Sequence, residues 1–319
     1  MSNKLIEESK KSKVTIGHAG LGLRGKSVLK PAGAVHDGDT IFTRALANIS
    51  VRFLGVDTPE VAFTLPGGKN PIPIADPKWE TFLSDPFADW PDAKDVLGTE
   101  LHTFLSDHTG PGTAANHAAQ AEAAEEKLEE FVSADVDTFA GGDHTTFVFF
   151  LRYAKDVIDR YGRLLAYITV NVAKAADAPA LTYNERMLEE GMAAPYFIWP
   201  NLDPFKKQPN LLDAVPAPAD IPAIAGTGRL KQARQFVASA RTNGKGIFGP
   251  EPLRLQPFEL RLLAGKRAPD RWVIDLSSNS GVLLKPTDYH TIDNLEDRLY
   301  IPAEYVPLFE NKGWQRDTP

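Results

Sequence analysis

Apolar and polar positions change period several times along this chain, and each change predicts an element. In "NISVRFLGVD", Asn48 to Asp57, β-branched and apolar residues dominate until a Thr-Pro stops the run, which predicts a strand. "HTTFVFFLRYA" and "GRLLAYITV" predict two more strands, with a turn over 156–162 between them. Thr113 to Val132 is built from strong helix formers, and Ala115, Ala118, Ala119, Leu128 and Phe131 trace much of an apolar stripe. "NERMLEEG" predicts a short helix stopped by Gly191, and "GRLKQARQFVASARTNG" a longer one. Further on, Trp272, Ile274 and Leu276 alternate with their neighbours as in a half-buried strand, and "GVLLKP" predicts another short strand. Pro66 to Pro91 is rich in Pro, Asp and Gly and predicts a long irregular loop.

These elements divide the chain into a polar extension (1–26), a main domain (27–249) with an insertion over about 61–112, and a small mostly-β domain (250–319). The last segment shows no recognisable site.

At 43% hydrophobic residues the chain can fill a core, and with no cysteine it has neither a disulfide scaffold nor a thiolate metal site nor a cysteine nucleophile. No apolar run has the length of a signal peptide's core at the start or of a membrane helix anywhere. The expected compartment is the cytoplasm, or outside the cell if the N-terminus has been trimmed. The net charge of −7 speaks against a nucleic-acid partner, but it is unevenly spread. Residues 61–150 hold 16 acidic and 4 basic side chains, a net of −12, which leaves the remainder at +5. Four of the seven histidines, His102, His108, His117 and His144, lie in that acidic stretch without the paired spacing of a zinc site.

The chemistry-bearing residues fall into two acidic clusters and two arginines. "VHDGDTI" carries Asp37 and Asp39 where an extended stretch begins, a pattern that also suits a plain turn. "VDTPE" carries Asp57, Thr58 and Glu60, 18 to 21 residues after Asp39, enough for a strand, a turn and a strand back. An oxygen-only cluster suits a hard cation such as Ca²⁺ or Mg²⁺. Arg52 and Arg163 stand on strand sequences, where arginine is commonly a solvated side chain. Carboxylates, a hard cation and two guanidinium forks are together what phosphodiester chemistry requires: charge neutralisation, bidentate phosphate binding and a base for water.

"VHDGDTI", "VRFLGVDTPE", "DRYGRLLAY" and "NERMLEEGMA", in this order, resemble the staphylococcal nuclease family over roughly 27–249. The resemblance implies an α+β fold, a five-stranded OB-like β-barrel with packed helices, and Ca²⁺-dependent hydrolysis of DNA and RNA. It implies Asp39, Asp57 and the Thr58 carbonyl as metal ligands, Arg52 and Arg163 as phosphate clamps, and Glu60 as the residue acting on water. By the same resemblance Arg160, Tyr161 and Tyr196 contact the substrate, Asp37 supports the metal site, and Trp199 is a candidate second stacking aromatic. The implied partner is DNA or RNA, with neither a membrane nor a protein partner. Where the family's small enzymes have a short lysine-rich loop, this chain has the acidic insertion, expected to lid or narrow the cleft. The alternative reading is a non-catalytic OB-like module that binds single-stranded nucleic acid.

Overall fold

The computed structural model describes residues 6–8, 15–17, 19–31, 43–45, 48–159, 161–170, 181–203 and 210–317. The chain forms two compact units, one of Met1–Arg52 with Asp156–Ala166, the other of Phe53–Lys155 with Tyr167–Pro319.

In the first unit the stretch expected to be a polar extension pairs into short antiparallel ribbons. Ile6–Glu8 lies against Thr15–Gly17, and Leu23–Arg24 against Ser27–Val28 across a turn with Gly25 at φ 60°. Ala19–Leu21 pairs with Thr43–Ala45. Leu164 donates its backbone N–H to the Ser50 carbonyl at 2.9 Å.

The second unit is organised by one four-stranded sheet. Its strands are β1 (Gly55–Asp57), β2 (Ala194–Ile198), β3 (Arg271–Asp275) and β4 (Arg298–Pro302), in the order β3-β4-β2-β1. β1 pairs antiparallel with β2, placing Asp57 opposite Ala194 and Gly55 opposite Tyr196. β2 runs parallel to β4, with Phe197 opposite Leu299, and β3 is antiparallel to β4. Side chains alternate between faces along each strand. Phe197, Ile274, Leu299 and Ile301 enter one apolar cluster, while Ile198, Val273 and Tyr300 enter another. Both faces are therefore covered, and fully burying each such side chain contributes about 1.5–3 kcal/mol.

The helices supply the two covers. α1 (Pro77–Ser84), α2 (Ala93–Leu97) and α3 (Thr99–Asp107) come from the insertion. α4 (Thr113–Ala140), α5 (Tyr183–Glu189), α6 (Gly228–Thr242) and α7 (Pro257–Gly265) follow. Trp79, Leu83, Leu97, Leu101 and Leu105 of α1 to α3 share a cluster with Leu260, Leu263 and Tyr300. Val237 of α6 and Met187 of α5 share the other with Leu299 and Phe309.

Several expectations change here. The loop expected over Pro66–Pro91 instead contains α1: Asp76 caps it by accepting the Lys78 N–H at 2.9 Å, and Pro77 opens its first turn. The insertion is thus core-bearing rather than a loose lid. The strand expected from Asn48 to Asp57 is broken between Val51–Phe53 and β1, where Gly55 takes φ 76°. Residues 250–319 are not set apart: β4 lies between β2 and β3, so the sheet runs through the expected boundary. That segment is also not mostly β: beside β3 and β4 it holds α7, a second helix at Val306–Glu310 and three 3-10 helices. Among the described residues no sheet closes into a barrel and the widest has four strands. The mixed α+β character stands, and no five-stranded OB-like closure forms among the described residues.

Candidate active site

β1 ends on Asp57, whose backbone is fixed by pairing with β2 and whose side chain is only 4% exposed. A carboxylate this buried needs a compensating charge. Arg261 supplies it from α7, where it stands between the buried Leu260 and Leu262. Its Nη2 meets Asp57 Oδ2 at 2.7 Å and its Nη1 meets Glu60 Oε1 at 2.5 Å. One guanidinium thus bridges the two carboxylates of "VDTPE", each through a separate nitrogen. Burial alone would lower the Arg261 pKa, but Asp57 and Glu60 outweigh it and hold the guanidinium firmly protonated.

The backbone of Glu60 is anchored from another side. Its N–H donates to Nε2 of His117 on α4 at 2.8 Å. An accepting Nε2 requires the neutral ring. Burial, against an opposing pull from Asp57, lowers the His117 pKa from 6.5 to about 4. The unfolded chain therefore takes up this proton first as pH falls. The resulting stability is complete above pH 6.5, declines between 6.5 and about 4, and is flat below. His117→Gln keeps an acceptor for the Glu60 N–H but cannot titrate. In urea unfolding at pH 7.5 and pH 4, the natural chain is expected to lose about 3 kcal/mol more than the variant. Equal losses in the two proteins would contradict this assignment.

Tyr196 on β2 belongs to the same unit. Its ring stacks on Phe258 at 5.5 Å with 13° between planes and leans on Tyr300 at 4.8 Å. Its hydroxyl accepts from Arg271 Nη1 at 2.7 Å. Burial raises the phenol's pKa. The expected stacking platform for a nucleotide is thus occupied by the C-terminal segment. Trp199, at 3% exposure, packs edge-on against Tyr305 and Phe309 and is a core residue rather than a stacking surface.

In the first unit, Asp159 builds the turn of "DRYGR". Its Oδ1 accepts the backbone N–H groups of Tyr161 and Arg163 at 2.9 and 3.0 Å. Its Oδ2 accepts from Arg163 Nε at 2.7 Å. Burial would raise the Asp159 pKa, but the backbone and guanidinium of Arg163 outweigh it and hold the carboxyl below the usual range. Arg163 also lies 5.4 Å over the ring of Tyr161, which is 58% exposed. An outward aromatic and an oriented guanidinium share one turn. Arg52 is half-buried on Val51–Phe53. Asp39, Asp37 and Arg160 lie outside the described residues.

Asp57 and Glu60 are brought to a common point by the Arg261 guanidinium. Their chemistry suits a hard cation, since two carboxylates converge where a single positive group fits between them. Among the described residues no group of three or more His, Asp or Glu gathers as a metal site, and Asp39, the further carboxylate that the resemblance implies, is not among them.

Residues 112–217 match the family model of the staphylococcal nuclease homologues. That match points to a nuclease or a nucleic-acid-binding protein. It spans Tyr161, Arg163 and Tyr196, while Arg52, Asp57, Thr58 and Glu60 precede it. No curated protein matches the chain. No helix among the described residues is long and apolar enough to cross a membrane.

Sequence reasoning missed Arg261 and His117. Arginine inside "FELRLLAG" is a usable signal, because a charge flanked by core leucines must find a partner. His117 gives none, standing in an alanine-rich helix whose burial the sequence does not announce.

Proposed function

We propose that this protein hydrolyses phosphodiester bonds of DNA or RNA in a Ca²⁺-dependent reaction centred on Asp57 and Glu60. The observation that carries the reading is the convergence of these two carboxylates on one cationic point at the end of β1. Support comes from the four ordered motifs and from the family match over 112–217. In this assignment Asp57, Asp39 and the Thr58 carbonyl hold the ion, which when bound offsets phosphate charge and orients water. Glu60 takes the proton of the attacking water, with its backbone fixed by His117. Arg52 and Arg163 bind phosphate oxygens and stabilise the extra negative charge of the transition state. Arg163 comes pre-oriented by Asp159, which lowers the entropy cost of gripping substrate. Tyr161 and Arg160 contact the neighbouring phosphate. Tyr196 is left out of the substrate contacts because Phe258 and Arg271 engage it.

A second reading, nucleic-acid binding without cleavage, is favoured by one feature: Arg261 already neutralises both carboxylates. Incubation of the purified chain with fluorescent single-stranded DNA separates the two. Cleavage in Ca²⁺ that stops on addition of chelator is expected. Retarded but intact DNA in both conditions would favour the binding module, and cleavage in chelator would refute the metal mechanism.

A further inference from the structure

We propose that Arg261 is the resident counter-cation of the Asp57–Glu60 pair, and that a divalent ion gains Asp57 only by displacing its guanidinium. The inference concerns which cation the pair holds. It extends the reading above in making Asp57 a metal ligand, but it does not require cleavage.

The geometry is that of a built ion pair rather than a passing surface contact. The two nitrogens of the fork engage two different carboxylates, at 2.7 and 2.5 Å. The Arg261 side chain is 17% exposed, so little water competes for it. α7 is held in place by Leu260, Leu262 and Leu263, all buried. It is also tied through Glu259, which accepts from the Tyr289 hydroxyl at 2.8 Å. The helix therefore cannot withdraw from β1 without breaking the core. Swinging out the arginine side chain leaves that packing intact.

A divalent ion bound by Asp57 would sit within a few ångströms of the guanidinium. Like charges at that distance repel strongly in a partly buried site. The ion and Arg261 then compete for Asp57, and Ca²⁺ affinity is set by how readily the arginine swings out.

The test is Ca²⁺ binding by the full chain, measured by calorimetry, for the natural protein, Arg261→Gln and Arg261→Lys. Removing the charge in Arg261→Gln is expected to tighten Ca²⁺ binding roughly tenfold or more. Arg261→Lys keeps the charge and is expected to stay within about threefold of the natural protein. If Arg261→Gln is too unstable for calorimetry, thermal melts across a CaCl₂ series carry the same information. Its melting temperature should then rise more steeply with Ca²⁺ than that of the natural chain. Equal or weaker affinity in Arg261→Gln, or an equal or shallower rise in its melting temperature, overturns the proposal. Tighter Ca²⁺ binding in Arg261→Gln with no cleavage by any variant would sink the nuclease reading and leave the counter-cation intact. Cleavage by the natural chain with unchanged Ca²⁺ affinity in Arg261→Gln would do the reverse.

Discussion

A chain shortened to residues 1–249 is expected to lose cooperative folding altogether. The cut removes β3 and β4, two of the four strands of the sheet in the second unit, and leaves β2 without its parallel neighbour. It also strips Leu260, Leu263, Val273, Tyr289 and Tyr300 from one cluster. Ile274, Leu299, Ile301, Phe309 and Trp314 go from the other. Truncating one such buried side chain to alanine costs about 2–5 kcal/mol, and whole domains are stable by only about 5–15 kcal/mol. Asp57 and Glu60 lose Arg261 in the same step, which removes the guanidinium that offsets them. Circular dichroism during heating should show no cooperative transition for the shortened chain. A transition within about 5 °C of the full chain's would mean that residues 250–319 are an accessory after all.

This dependence was hard to read from the sequence, for a physical reason. Local signals report helices and strands, so the runs around Leu164–Val170, Tyr183–Glu189, Gly228–Thr242 and Arg271–Asp275 were legible from periodicity alone. Strand partners are a long-range property, and nothing near Phe197 announces pairing with Leu299. The insertion misleads in another way. Its Pro, Asp and Gly read as loop signals, yet Asp76 and Pro77 start a helix. The fourfold spacing of Trp79 and Leu83, and of Leu97, Leu101 and Leu105, carries the apolar stripes.

The site divides along the same line. The proximity of Asp57 and Glu60 was legible because they lie three residues apart in one motif, and the turn at Arg163 because it is local. Arg261 reaches Asp57 across 204 residues of sequence, and His117 reaches Glu60 across 57. Such contacts depend on how α7 and α4 pack. The stacking of Phe258 on Tyr196 was hidden for the same reason, since Phe258 comes from α7.

Glu60→Gln is expected to have the largest effect on chemistry. Glutamine retains the length of the side chain and an acceptor oxygen, and the backbone N–H to His117 is untouched. It cannot take a proton from water. General-base catalysis typically contributes about 10²–10⁴ in rate, so turnover should fall by that much. Binding should change little, because an interaction that acts only in the transition state alters rate rather than ground-state affinity. Loss of one carboxylate also leaves Arg261 with Asp57 alone, which the melting temperature would register separately.

The most direct test is cleavage of a fluorescent single-stranded DNA in saturating Ca²⁺ by the natural chain and by Glu60→Gln, with binding followed by anisotropy in the same samples. The expected result is cleavage by the natural chain, slowed at least about a hundredfold in the variant, with affinities within about threefold of each other. Binding by both with cleavage by neither, or equal cleavage rates in the two proteins, would contradict a reaction centred on Asp57 and Glu60.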